Sequence, residues 1–62
     1  MTMAGVVVER MSDRVIVHLQ DWAIEAPLRT RDPDSFRKGQ EIEVRLDRAD
    51  ARRDVVRISL AR

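Results

Sequence analysis

The chain has no cysteine and no tyrosine, and one residue each of histidine, tryptophan and phenylalanine. Without cysteine there is no disulfide to staple a small fold and no thiolate set for zinc. With His18 as the lone imidazole, a metal site would depend on carboxylates for nearly all its ligands. The acidic residues are spread along the chain without the spacing of a calcium loop. No metal and no cofactor are expected. Glycine is also scarce: Gly5 and Gly39 stand far apart and cannot form a phosphate-cradling loop. Ser12, Ser35 and Ser59 lie in no nucleophile motif. The acidic pairs Asp32/Asp34 and Glu41/Glu43 read as solvated edges. Nothing here supports catalysis, so the chain is not expected to be an enzyme.

Long apolar runs are missing as well. Val6-Val7-Val8 falls far short of a signal-peptide core or a membrane span. A cytoplasmic location and no membrane partner are the expectation. Charge of one sign is absent too: 12 basic and 11 acidic residues leave a formal net charge of +1. A tight nucleic-acid binder would carry a stronger positive excess. What is abundant is arginine, since Lys38 is the only basic residue that is not one. Arginine offers a planar fork for phosphates and a face that stacks on bases. Arginine excess also follows from the base composition of a gene, and both explanations stand at this level.

With 62 residues the chain is expected to be one domain, 1–62, whose small core must stabilise it by packing alone. A composition of 44% hydrophobic and 37% charged residues is that of a globular domain and not of a disordered tail. Four stretches have strand character. Residues 4–10 (AGVVVER) are rich in β-branched side chains. Residues 14–20 alternate, with Val15, Val17 and Leu19 on one side and Arg14, Ile16, His18 and Gln20 on the other. Residues 41–47 turn Ile42, Val44 and Leu46 inward, and residues 54–61 do the same with Val56, Ile58 and Leu60. Period-two alternation marks half-buried strands. A weaker strand spans 22–28, with Trp22, Ile24 and Ala26 inward and Pro27 confining it to an edge or an end.

The connections are short and polar at Met11-Ser12-Asp13, at Gln20-Asp21 and over 49–53 (ADARR). The longer one, 29–40, carries a helix-start signal: Asp32 as N-cap and Pro33 at the first helical position. Gly39 is placed to close that turn, and Phe36 to plug an end of the barrel. Three strands, a helical turn and two strands is the order of a five-stranded oligonucleotide-binding (OB) barrel. The fold class is therefore all-β, an OB-fold barrel with a short helical turn between strands three and four.

The closing stretch KGQEIEVRLDRADARRDVVRISLAR resembles the second half of the S1-type RNA-binding domain. A glycine (Gly39) precedes the alternating run Ile42-Val44-Leu46. Asp50 opens the last turn, and Arg57-Ile58-Ser59-Leu60 closes the barrel. Ser35-Phe36-Arg37-Lys38 fits the aromatic that often comes before the basic-glycine turn. The opening stretch, with WAIEAPL at 22–28, is similar to the variant at the C-terminus of RNase II and RNase R type exoribonucleases. The resemblance covers nearly the whole chain. It implies a non-catalytic module that binds single-stranded RNA weakly and without sequence preference, accessory to a parent nuclease domain. In many members a phenylalanine pair around the second strand stacks on bases; Asp13 and Ile16 occupy those positions here. A basic position often used for RNA falls on Val55, with Arg53 close by as a substitute.

The OB binding surface is the outer face of strands two and three with its flanking loops. On this chain it would hold Arg14, Ile16, His18 and Gln20, with Arg10, Arg29 and Arg31 at the margins. Arg45 and Arg57 come from outer positions of strands four and five, and Arg14, Arg45 and Arg57 are expected to carry the electrostatic part of RNA affinity. Sites of this kind join cationic tracking of the backbone to base stacking on aromatics. Stacking would fall to Trp22, His18 or arginine planes. For each the plainer reading is structural: Trp22 and Phe36 as core volume, His18 as a surface residue, the arginines as a solvated face. Two other function classes remain open. One is a structural or protein-contact barrel completing a larger assembly. The other is a free-standing protein like translation initiation factor one, with the ribosome as partner.

Overall fold

Alternating burial governs the computed structural model, which describes residues 1–50, 52 and 55–61. The described residues form five strands, β1 (Thr2–Arg10), β2 (Arg14–Leu19), β3 (Ile24–Arg29), β4 (Glu41–Asp50) and β5 (Val55–Leu60). A 3-10 turn, Pro33–Ser35, lies between β3 and β4. The strands make one sheet in the order β3-β2-β1-β4-β5, with antiparallel ladders throughout. The two end strands, β3 and β5, come against each other. The sheet thereby curls into a nearly closed barrel with the topology of an OB fold.

β1 makes the closure possible by serving two partners. Residues Gly5 to Arg10 pair with β2, and Thr2 to Val6 pair with β4. Between Val7 and Glu9 the ladder shifts by a bulge that leaves Val8 exposed, and such bulges bend a strand so that it can wrap. Where the β1–β4 ladder ends at Val6, the loop before β4 continues the pairing to Val7. The Val7 N–H donates to the Gln40 carbonyl (2.9 Å), and the Gly39 N–H donates to the Val7 carbonyl (2.7 Å). Gly39 has φ of +85°, a left-handed conformation that glycine adopts without strain.

The core collects one face of each strand. Val7, Val15, Val17, Leu19 and Val44 are fully enclosed, joined by Met3, Ala26, Leu28, Ile58 and Phe36. Gly5 is buried in this face opposite Leu19. A Cβ there would collide with Cγ1 of Val17 and lie 3.4 Å from the His18 carbonyl oxygen, so β1 and β2 approach closely only because residue 5 has no side chain. Phe36 plugs the barrel as its sequence position suggests. Its N–H donates to the Pro33 carbonyl (3.1 Å), and its own carbonyl accepts from Nη1 of Arg10 (3.1 Å).

Several details differ from the sequence reading. β1 begins at Thr2 and β4 runs on to Asp50. β3 begins at Ile24, and its buried members are Ala26 and Leu28 in place of Trp22 and Ile24. Trp22 lies in a four-residue turn, 37% exposed, with its N–H donating to the Leu19 carbonyl. Ala23 takes φ of +52° to close that turn. The phase of Trp22 and Ile24 is inward, but they stand past the mouth of the barrel. Asp32 precedes Pro33 but makes no side-chain cap; its carbonyl accepts from the Ser35 hydroxyl (2.8 Å). The 3-10 turn ends at Phe36, so Gly39 closes a separate turn.

Candidate nucleic-acid interface

The ladder register gathers arginines in a way that a chain of +1 net charge does not foreshadow. In antiparallel pairs, residues directly opposite share a face and their side chains touch. Arg14 at the start of β2 lies opposite Arg29 at the end of β3. Arg48 of β4 lies opposite Arg57 of β5. Like charges facing each other across a ladder cost stability, roughly 0.2–1 kcal/mol per pair. A fold holds two such pairs with least penalty when an anion lies over them.

Arg14, Arg29 and Arg57 also line one groove of about 670 Å³, which follows the seam between β3 and β5. Its wall includes Pro27, Leu28 and Val56, so apolar surface lies beneath a rim of guanidinium groups. Arg31 follows on the loop after β3 and shares a shallower cleft with Arg29, Ser12 and Asp13. One end of the β2–β3 ladder is thus basic. The other end is different: His18 stands opposite Glu25 of β3 and Val6 of β1, and beyond it the turn carries Trp22.

Two carboxylates stand against the arginines. Nε of Arg14 donates to Oδ1 of Asp13 (2.9 Å), and its Nη2 donates to Oδ2 (3.2 Å). The hydrogen bond from Arg14 holds the Asp13 carboxyl below its usual range, and the same bond raises the Arg14 guanidinium. Nε of Arg45 donates to Oδ1 of Asp47 (2.9 Å). Arg45, followed by the nearby Ser59 hydroxyl, keeps the Asp47 carboxyl low. That hydroxyl stands by Asp47 without a well-aligned hydrogen bond. Both carboxyls titrate below their unfolded value of 3.8, so whatever stability the pairs give is present above that pH and fades as pH falls through the lowered values. At neutral pH both remain ionised and in place. Both pairs are solvent-exposed, which keeps their energy small.

Of the residues singled out in the sequence, the groove therefore brings together Arg14, Arg29 and Arg57, with Arg31 beside them. Arg45 is exposed on β4, opposite Thr2 and Ser59 and tied to Asp47. Arg10 spends its guanidinium on the Phe36 carbonyl. His18 and Trp22 lie towards the opposite end of the β2–β3 ladder, and Arg53 falls outside the described residues. Sequence reading misses Arg48, because unbroken alternation from Ile42, Val44 and Leu46 would turn it inward, and a bulge between Leu46 and Arg48 breaks that phase and leaves it exposed. It also misses Pro27 and Ser59 as groove residues, since an inter-strand seam leaves no periodic signal.

Among the described residues, no group of three or more His, Asp or Glu is placed to hold a metal ion. No helix there is long and apolar enough to cross a membrane. A family model described as the RNase II-type exonuclease C-terminal S1 domain matches residues 1–61. No curated protein and no solved structure gives a significant match.

Proposed function

The chain belongs to the RNase II-type exonuclease C-terminal S1 domain family, and from that footing we propose that it is a non-catalytic module binding single-stranded RNA weakly and without sequence preference, accessory to a nuclease domain. The observation that supports this most is the convergence of Arg14, Arg29 and Arg57 on one groove, with Arg14 and Arg29 set directly against each other. Three guanidinium groups so placed suit successive phosphates of a flexible strand. Backbone contacts of this sort carry affinity but no sequence information. Asp13 and Asp47 beside the basic groups are a physical reason for weak binding, since a phosphate must displace or tolerate them.

The direct test is titration of a fluorescent oligo(U) with the purified chain at two salt concentrations. Binding that weakens with salt supports the reading; a folded chain that leaves the oligonucleotide free at low salt overturns it. A sharper consequence concerns Asp13. Asp13→Asn removes the carboxylate that competes with phosphate for Arg14 at the groove margin. The three arginine–phosphate contacts and the salt slope they set stay as in the parent, while binding tightens severalfold. Anisotropy titrations of the variant and the parent across a salt series check both expectations.

A second reading, contact with protein, is favoured by Trp22 and Ile24. They expose apolar surface together at the β2–β3 turn, away from the arginine groove.

A further inference from the structure

The proposed RNA reading leaves open how a base is held, because the outer face of β2 and β3 carries no benzene or indole ring. Its cross-strand pairs are Arg14 with Arg29, Ile16 with Pro27, and His18 with Glu25. The Glu25 carboxylate next to His18 makes that end unfavourable for a phosphate strand. Resting on the RNA reading, we infer that the open seam between β3 and β5 is a base-binding site, taking one unstacked nucleobase of the bound strand.

Four observations carry the inference. First, β3 and β5 end the sheet, and no ladder joins them among the described residues. Pro27 lacks an N–H and favours an unpaired edge at that point. Second, apolar side chains form part of both walls of the seam: Pro27 and Leu28 on one side, Val56, Ile58 and Leu60 on the other. Its volume of about 670 Å³ lies within the range of clefts that hold small planar ligands, roughly 300–1,000 Å³. Third, three arginines line the seam together with Asp47, and a guanidinium plane stacks on a base while its charge holds the adjoining phosphate. Fourth, the Ser59 hydroxyl lines the seam beside the Asp47 carboxylate and makes no well-aligned hydrogen bond. Buried polar groups in native proteins are nearly always satisfied. A base edge, which offers both donors and acceptors, gives this hydroxyl a better-aligned partner.

The experiment uses the intact chain with methyl groups labelled for NMR, titrated with a short oligo(U) and with a fully abasic strand of the same length and charge. The expected result is that methyl resonances of Leu28, Val56, Ile58 and Leu60 shift with oligo(U) and stay in place with the abasic strand. The abasic strand should bind at least roughly fivefold more weakly, the lower end of what stacking one base contributes. Ser59→Ala should weaken oligo(U) binding severalfold and narrow the difference in affinity between the two strands. If oligo(U) binds but the shifts fall on Val6 and Ile16 with the seam silent, the base site is wrong and the RNA reading survives. Equal affinity for the two strands also overturns the base site. No response to either strand at low salt overturns both.

Discussion

Replacing Arg14, Arg29 and Arg57 together by glutamine lowers affinity for single-stranded RNA about 100-fold at 0.1 M salt. Each phosphate contact contributes about 0.7 to the single-strand salt slope, so three contribute about 2, and a slope change of that size at 0.1 M is two orders of magnitude. Salt-dependent anisotropy titrations read affinity and slope at once. The thermal midpoint makes the test selective. A basic groove kept for packing would lose stability when emptied. Here the substitution loses the exposed Arg14–Asp13 pair, whose energy is small, and removes the Arg14–Arg29 and Arg48–Arg57 repulsions across the ladders, each worth a few tenths of a kcal/mol and up to about 1. The midpoint should therefore hold steady or rise while binding collapses. Arg29→Glu sharpens the contrast, because it places opposite charges across from each other at Arg14 and reverses one phosphate contact. Retained affinity and slope in the folded triple variant would assign these arginines to the solvated surface.

The division between what is legible in the sequence and what is not follows from the range of the interactions involved. Val15, Val17 and Leu19 alternate on a regular strand, and their burial is complete. Pro33 and Phe36 mark the helical turn and its plug through local backbone chemistry. The strand order can be recognised because OB barrels share one order of elements. The mouth of the barrel cannot be seen: Trp22 and Ile24 have the right phase, but a left-handed Ala23 turns the chain before Trp22 can reach the core. Arg48 is hidden by a bulge that shifts the register by one residue. The arginine groove is hidden for a different reason. Residues 14, 29 and 57 come from three strands, and only the curl that brings β3 against β5 places them together. Net charge averages that arrangement away, so +1 overall is compatible with a locally basic seam. Individual arginines are readable as outward-facing; their convergence is a property of closure.

Gly5→Ala should be the most damaging single small substitution for the fold. The new methyl carbon would overlap Cγ1 of Val17 and crowd the His18 carbonyl at 3.4 Å. Val17 is fully buried and cannot swing into solvent, and the carbonyl belongs to β2 itself. Relief requires β1 and β2 to separate across the centre of the barrel. Overpacking of this kind costs about 1–3 kcal/mol, a large part of the roughly 5 kcal/mol at the low end of domain stability. For a chain of this length each kcal/mol moves the midpoint by about 4–8 °C, so Gly5→Ala should melt about 4–24 °C below the parent by circular dichroism. Val17→Ala alone should also destabilise, by opening a cavity. Combined with Gly5→Ala it deletes the clashing methyl and leaves a neighbour to fill the space. The double variant should therefore melt above Gly5→Ala alone, with an interaction energy of the sign expected for residues in direct contact. A Gly5→Ala midpoint close to that of the parent would mean that β1 and β2 yield easily, and that the close approach is not what holds the barrel in register.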